Sequence, residues 1–478
     1  AGAYLASELV TISAATTLAV GGSAVSGISG SAAELDAVIA QKGAVGGMSL
    51  SDTFTVNVGA PGASVDQLNG YVSGGVGKIT AAVTNTSVAD LVGLTTAATD
   101  DITATVATTS VTAADLVTID GHTAVAVDAT VVTAISGDAA GFDALETAAA
   151  GGSVVLNNFA ATVSGSYGVA GINALAARAS GIVTATLSED AIADLIGVGG
   201  LTTAATDAIS VTLAAADTIA AADLLTLNGL TSVEVNAEAI ATITGSMADL
   251  LSLRTAVLAD QISIATGTVN LTVTSGTLDA GGVAIETSLN VLTLADFVGG
   301  IVGVTAIDQI NGTAESLATL EARNDVEIAQ EVATEVYAAQ PSDATMKATD
   351  ILALGTANAT GTVDLALVST IRGEIDDINS VIAGGADNNI QLAIKAYNFT
   401  VITDEDGAAT ATVTQANSLT ASAGGGIVTA TISNTDIADL DDLAASAVNA
   451  LTITVAGASL DAAQLNTVDA ATTVQVTT

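Results

Sequence analysis

The segment LTTAATD occurs twice, at 94–100 and 201–207, and each copy sits inside a longer echo. GKITAAVTNTSVADLVG (77–93) reads against GIVTATLSEDAIADLIG (181–197), and GGIVTATISNTDIADL (425–440) repeats the theme. Farther on, TSVTAADLVTIDGHTAVAVDATVVTAISG (109–137) matches DTIAAADLLTLNGLTSVEVNAEAIATITG (217–245). Self-similarity at this spacing marks a chain built by repeating one small structural unit that buries its apolar face only against its neighbours. Such arrays make extended surfaces and scaffolds more often than enclosed enzyme pockets.

Each unit has the same internal order. An alternating Thr and aliphatic segment comes first: FTVNV (54–58), ITATV (102–106), VTATL (183–187), VTATI (428–432) and LTITV (451–455). Period-two alternation of β-branched residues predicts half-buried strands. A polar residue and a short apolar turn follow, as in SVADL (87–91), TAADL (112–116) and DAAQL (461–465). Ser87 with Asp90, Thr112 with Asp115 and Asp461 with Gln464 have the spacing of a helix-start capping box. A second helix start follows Ile-x-Gly in ISGSAAELDAVIA (28–40), ISGDAAGFDAL (135–145), ITGSMADLLSL (243–253), INGTAESLATL (310–320) and IRGEIDDINSVI (371–382). There the Ile ends a strand, the Gly gives a tight exit, and Ser31 with Glu34 and Ser246 with Asp249 cap the helix.

Strands alternating with short helices every 20–30 or so residues predict parallel strands joined by crossovers. The expected fold class is α/β: an elongated repeat protein, a parallel β-solenoid-like stack of strand–short-helix units, with a more helical insertion. Tandem antiparallel β-sandwich modules are the rival architecture. The echoes divide the chain into a partial N-terminal repeat module (1–76), repeat modules at 77–180 and 181–268, a diverged repeat (269–312), a helix-rich insertion (313–398) and a C-terminal repeat module (399–478). In the insertion, Leu317, Leu320, Ile328, Val332 and Val336 recur at helical spacing before Pro341, and Arg323, Lys347, Arg372 and Lys395 supply half of the basic side chains. This makes it the expected contact surface.

Composition bounds the partners. Fifty Asp and Glu stand against eight Lys and Arg, a formal charge of −42, yet half of the residues are hydrophobic, so the chain folds rather than remaining disordered. Small and β-branched side chains dominate, with five Phe, five Tyr and no Trp, which suits thin regular layers. The charge excludes nucleic acid and anionic lipid as partners, and it favours divalent cations. No Cys is present, so disulfides and thiolate metal sites are excluded. No apolar run reaches the length of a membrane span, and the start at Ala rather than Met leads us to expect a processed, secreted chain.

Candidate chemistry is sparse. With one His (His122) and no Cys, neither a Cys–His pair nor a multi-His zinc site can be assembled, and the chain is expected not to be an enzyme. Adjacent acids at Asp100–Asp101, Asp376–Asp377 and Asp441–Asp442 point in different directions and read as solvated edges. TDEDGA (403–408) places Asp404, Glu405 and Asp406 before Gly407, between two strand-like segments. It is read either as an acidic hairpin turn or as a hard-cation site for calcium. Asn85, Asn270, Asn311, Asn358 and Asn398 head Asn-x-Ser/Thr sequons.

VTATISNTDIADL, LVTIDGHTAVAVDATVVTAISG and ITGSMADLLSL resemble repeats of large secreted surface proteins of bacteria, cyanobacteria among them. The resemblance covers roughly 1–260 and 425–478 and implies an adhesin, surface-layer component or extracellular fibre. It lacks the calcium-binding nonapeptides common in such proteins and carries over no site residue. The expected function is a structural subunit of an extracellular filament or surface layer. The alternatives are a secreted adhesin contacting cell-surface glycans, and an ice- or carbohydrate-binding solenoid using Thr-x-Thr pairs at 103–105, 184–186, 429–431 and 452–454. Because ELVTISAATTLAV (8–20) and QLNTVDAATTVQV (464–476) both match DLVTIDGHTAVAV (115–127), head-to-tail homopolymerisation through terminal strands is expected.

Overall fold

The computed structural model describes residues 2–278, 284–323, 326–327, 338–358, 361–385, 389–403, 407–444, 446–457 and 459–478. The chain divides into two compact bodies. One comprises Ala1–Ala214, Thr226–Asn236 and Gln261–Ser263; the other comprises Ala215–Leu225, Ala237–Asp260 and Ile264–Thr478.

Both bodies are α/β, with sheets of short parallel strands and helices between them. Each strand pairs with the equivalent strand of the next repeat unit. In the first body Tyr4 lies opposite Ile28, Ile28 opposite Val56 and Val56 opposite Ile79. In the second, Met346 lies opposite Ile371, Ile371 opposite Phe399 and Phe399 opposite Val428. The spacing runs from 20 residues (Tyr167 to Leu187) to 31 (Leu271 to Val302), the length of one strand–helix unit. A second parallel ladder forms where the chain leaves the helix, as in Val20–Gly22 with Met48–Leu50 and Val127–Ala129 with Val154–Leu156. Tandem sandwiches need antiparallel neighbours. Among the described residues the only antiparallel ladder is Thr277–Leu278 against Ala284–Thr287.

The alternation in sequence becomes alternation in space. Along Val183–Leu187 the side chains read buried, exposed, buried, exposed, buried, with Thr outward. The Ile-x-Gly isoleucines (Ile28, Ile135, Ile243, Ile310 and Ile371) and the helix anchors Leu35, Leu145, Leu250 and Leu317 are all buried. Ser31 and Glu34 form a complete capping box, and Ser87, Thr112 and Ser246 accept from the backbone of Asp90, Asp115 and Asp249. Asp461 caps Ala463 rather than Gln464. The Gly of Ile-x-Gly has a different reason from a tight exit. A Cβ on Gly30, Gly137 or Gly245 would stand 2.8, 3.1 or 3.1 Å from the Cβ of Ala6, Ala113 or Ala221, the first residue of the helix one unit earlier. Gly312 is tighter still, since a Cβ there would collide with Ser288 Oγ. The strand must touch that helix start, and only glycine leaves room.

The segment 313–398, expected to be a helix-rich insertion, continues the strand–helix alternation. Helices Ala314–Glu321, Ala348–Ala357 and Ile375–Ile382 alternate with strands Ala338–Pro341, Thr345–Lys347, Thr362–Asp364 and Thr370–Gly373. The predicted helix stops at Glu321, Pro341 lies in a ladder opposite Gly312, and Ile328, Val332 and Val336 lie outside the described residues.

Polar side chains bind each unit to the next. At the start of a strand the backbone N–H of Ile79 donates to Asp100 Oδ1 (2.7 Å), that of Val183 to Asp207 Oδ1 (2.8 Å), and that of Val428 to Asn449 Oδ1 (3.0 Å). One unit later, Thr123, Thr231 and Thr472 take the N–H of Ile102, Ile209 and Leu451 (3.0, 3.0 and 2.9 Å) and donate back to the same residues' carbonyls (2.7, 2.7 and 2.8 Å). Asp100 and Asp207 use their second oxygen on Ala97 and Ala204 N–H, closing the turn inside LTTAATD. Thr96 and Thr203 of the same segment reach forward to the carbonyls of His122 and Leu230 (2.8 and 2.6 Å). The repeated heptapeptide is therefore a connector, tied to the unit before it and the unit after it.

Replacing Asp100 by Ala orphans two backbone N–H groups, at a cost of about 1–3 kcal/mol each. Replacement by Asn, the residue present at 449, keeps one acceptor and should cost about half as much. Urea unfolding of the two variants measures the difference.

Candidate functional surfaces

Other inter-unit ties sit on the helices. Asn69 donates to Gly93 O and accepts from Thr95 N–H, both at 2.8 Å. Asn173 does the same with Gly200 and Thr202 (2.8 and 2.8 Å), and Asn417 with Asp442 and Ala444 (2.8 and 2.7 Å). Helix starts at Val65, Val169 and Val413 receive a cap from the following unit, through Asn85, Glu189 and Asn434 at 3.1 Å, which at Val65 and Val413 adds to the local cap of Ser64 and Thr412. These residues stand in dissimilar local sequences, QLNGY, GINAL and QANSL around the three helix asparagines, so the echo did not single them out.

His122 is one of these ties. Its ring Nδ1 lies 2.8 Å from Thr96 O, and its backbone carbonyl takes the bond that Leu230 takes in the other copy. Asp100 is a buried connector and its neighbour Asp101 pairs with Lys78 at 2.9 Å, so these two acids serve different partners. Among the described residues no three His, Asp or Glu side chains converge as a metal-binding group. Asp404, Glu405 and Asp406 lie outside the described residues. On either side of them, Thr403 N–H donates to Gly407 O (2.9 Å) and Ile402 bridges antiparallel to Ala408. No helix among the described residues is long and apolar enough to cross a membrane.

The sequon asparagines are structural. Asn85 caps Val65, Asn270 and Asn398 accept from Ile301 and Ile427 N–H (2.8 Å each), Asn311 accepts from Gln309 (2.7 Å), and Asn358 is fully buried. Basic side chains are spent in a similar way. Lys42 holds Asp52 (2.5 Å) and Gly74 O (2.6 Å) over the Phe54 ring; Arg178 holds Glu146 (2.7 Å); Arg323 holds Asp296; Lys395 holds Ala366 O over the Tyr397 ring. The outward threonines make short columns. Thr410, Thr431 and Thr452 stand in register, whereas Thr184 lies opposite Ala208 and Thr429 opposite Ala450. A flat, uninterrupted Thr face is not present in these ladders.

Two surfaces have unfilled capacity. Among the described residues the strand Gly2–Leu5 pairs only with Val25–Gly30. Tyr4 is 44% exposed where its ladder partner Ile28 is 2%, and Leu5 (51%), Ile12 (51%) and Leu18 (76%) are exposed beside it. An apolar recess of about 200 Å³ opens there, lined by Tyr4, Leu9, Ile12, Val20, Met48 and Leu50 among others. The second surface is a cleft of about 430 Å³ between helices Ala314–Glu321 and Ala348–Ala357. Glu321 lines it, and its buried Oε1 has no hydrogen-bond partner among the described residues. Burial raises the Glu321 carboxyl to about 7.

No protein-family model matches this chain, and comparison with curated proteins and with solved structures finds no match.

Carboxylates act on stability in two directions. The hydrogen bonds from Ser31 to Glu34 and from Ser87 and Asn85 to Asp90 hold these acids below their ordinary range. Their contribution is present at neutral pH and is lost as acid protonates them. Glu321 is opposite: between its ordinary value of about 4.3 and its folded value of about 7, the folded chain holds a proton that the unfolded chain has released. Its burial therefore costs more stability as pH rises through that window. Glu321→Gln should raise the urea midpoint relative to wild type at pH 8 and leave it nearly unchanged at pH 4, measured as the difference between the two proteins at each pH.

Proposed function

We propose that this protein is a structural subunit of an extracellular filament or surface layer, built as a parallel β-solenoid and assembling head to tail with further copies. Support for the solenoid comes from the register: each unit's strand pairs with the next unit's strand, and polar connectors repeat at the same step. The observation that supports the assembly is the apolar recess beside Gly2–Leu5, where Tyr4, Leu5 and Ile12 are exposed. A strand with unpaired N–H and C=O groups is a template for strand addition.

The occupant we assign is the segment 472–478 of a second copy. Thr477 of this segment already makes a parallel bridge to Thr454, with Val455 N–H donating to Thr477 O (2.8 Å) and Thr477 N–H to Ile453 O (3.0 Å). The stretch 464–476 that overlaps it matches 8–20 and 115–127 in sequence. Repetition of this contact by translation or screw builds an open filament. The charge of −42 opposes association at low salt, so assembly requires screening.

Negative-stain microscopy in about 0.15 M salt, where the Debye length is about 8 Å, should show filaments of wild-type protein. Ala3→Pro removes a donor from the free edge and should leave a folded monomer without filaments. Wild-type protein that stays monomeric at high concentration, or Ala3→Pro protein that still forms normal filaments, contradicts the proposal.

A further inference from the structure

The hexapeptides TIDGHT (118–123), TLNGLT (226–231) and TVDAAT (467–472) each run out of a helix and end on a connector threonine, and TISAAT (11–16) is a fourth of the same kind. In the first three, the threonine and the residue after it hold one strand. Thr123, Thr231 and Thr472 bond both the N–H and the carbonyl of Ile102, Ile209 and Leu451. The N–H groups of Ala124, Ser232 and Thr473 donate to the carbonyls of Asp100, Asp207 and Asn449, each at 2.7 Å. The Ser232 and Thr473 hydroxyls reach the same carbonyls at 3.0 Å. Farther along, Asp128 N–H donates to Ala104 O and Thr477 N–H to Ile453 O (3.0 Å each), so the pairing continues in parallel. On the helices of these three units Ile119, Leu227 and Val468 are fully buried.

TISAAT has the same local geometry without the strand. Thr16 N–H donates to Ser13 O (3.4 Å), as Thr472 N–H donates to Asp469 O (3.4 Å). Thr16 Oγ1 takes Leu18 N–H (3.1 Å), as Thr123 takes Val125 N–H (2.9 Å) and Thr472 takes Val474 N–H (3.1 Å). Among the described residues Thr16 Oγ1 has no further partner, and neither the N–H nor the hydroxyl of Thr17 has any. Ile12 is 51% exposed where Ile119, Leu227 and Val468 are 0%. Gly21, in the place of Asp128 and Thr477, is exposed, and with Ile12 it lines the apolar recess of about 200 Å³. The donors, the acceptor and the apolar surface that hold a strand in three units therefore stand together, unused, in a fourth. We propose that this face captures an extended segment of another polypeptide by strand addition, parallel to Val20–Gly22. The internal occupants ITATV (102–106), ISVTL (209–213) and LTITV (451–455) define its chemistry: apolar residues alternating with Thr or Ser. The first apolar residue gives its N–H to Thr16 Oγ1 and accepts from it in return, the carbonyl two residues earlier accepts from Thr17, and the apolar side chains cover Ile12. The assignment does not rest on filament formation.

Isothermal titration of the full chain with the end-capped peptide NALTITVA, residues 449–456, tests the assignment; it is uncharged, so the protein's negative field does not oppose it. We expect saturable binding with Kd on the order of 1 mM, because a short flexible peptide must be ordered on binding. Thr16→Val keeps the shape and removes the hydroxyl, and it should weaken binding about ten-fold or more. The same peptide carrying Leu451→Pro lacks the N–H that Thr16 accepts and should bind the unaltered protein about as weakly as the intact peptide binds Thr16→Val. Ile12→Asp should abolish binding, and melting curves establish that each variant is folded. No saturable binding of NALTITVA, or binding that neither Thr16→Val nor the proline peptide weakens, would overturn the proposal. Self-association lost in Thr16→Val, without any peptide binding, would give the face to a second copy and likewise overturn it. The peptide TTVQVTT, residues 472–478, tests the filament reading separately: its failure to bind beside a binding NALTITVA would count against 472–478 as the occupant and support a site for segments of the alternating class.

Discussion

The structure depends on one recurring contact: a side-chain oxygen that takes the backbone N–H at the start of the strand one unit earlier. Strands of three to five residues have few ladder bonds of their own, and an N–H buried at the strand start without an acceptor costs about 1–3 kcal/mol. Asp100, Thr123, Asp207, Thr231, Asn449 and Thr472 each remove that cost for a neighbouring unit. Because the acceptor comes from the next unit, a strand is satisfied only when its successor is in place. The apolar layers follow the same order, since the buried Ile135 and Leu145 lie on a strand and a helix that pack against those of the units before and after.

Much of this was legible in the sequence. Thr and Val alternation placed Val183–Leu187 and Val428–Ile432, and the capping boxes placed the helices beginning after Ser31 and Ser246. The echo LTTAATD was visible, but a repeat shows identity and not partnership, so the role of Asp100 on Ile79 needed coordinates. The glycine of Ile-x-Gly was read as a turn former, whereas in Gly137 and Gly245 it is a contact surface for Ala113 and Ala221. Local sequence carries no record of a helix start lying against a strand one unit later. The stretch from 315 onward read as one long helix because Leu317 and Leu320 sit at helical spacing; the helix closes after Glu321 and the ladders resume.

Charge and chemistry divide between inside and outside. The few cations are tied to carbonyls, carboxylates and rings, the lone His serves a connector, and the sequon amides hold backbone groups. What remains outward is acid, Thr and a small number of apolar edges. An acidic exterior keeps copies apart except where an unpaired edge and its apolar neighbours offset the repulsion.

The central claim is that stability is carried between adjacent units and not by a shared core, and native-state hydrogen exchange of Asp100→Ala tests it most directly. The account predicts lost amide protection in the strands Lys78–Ala82 and Asp101–Thr103, fading within about one unit on either side, with the strands Val25–Gly30 and Val183–Leu187 protected as in wild type. Equal loss of protection across all of these strands would show a single cooperative core and contradict the account.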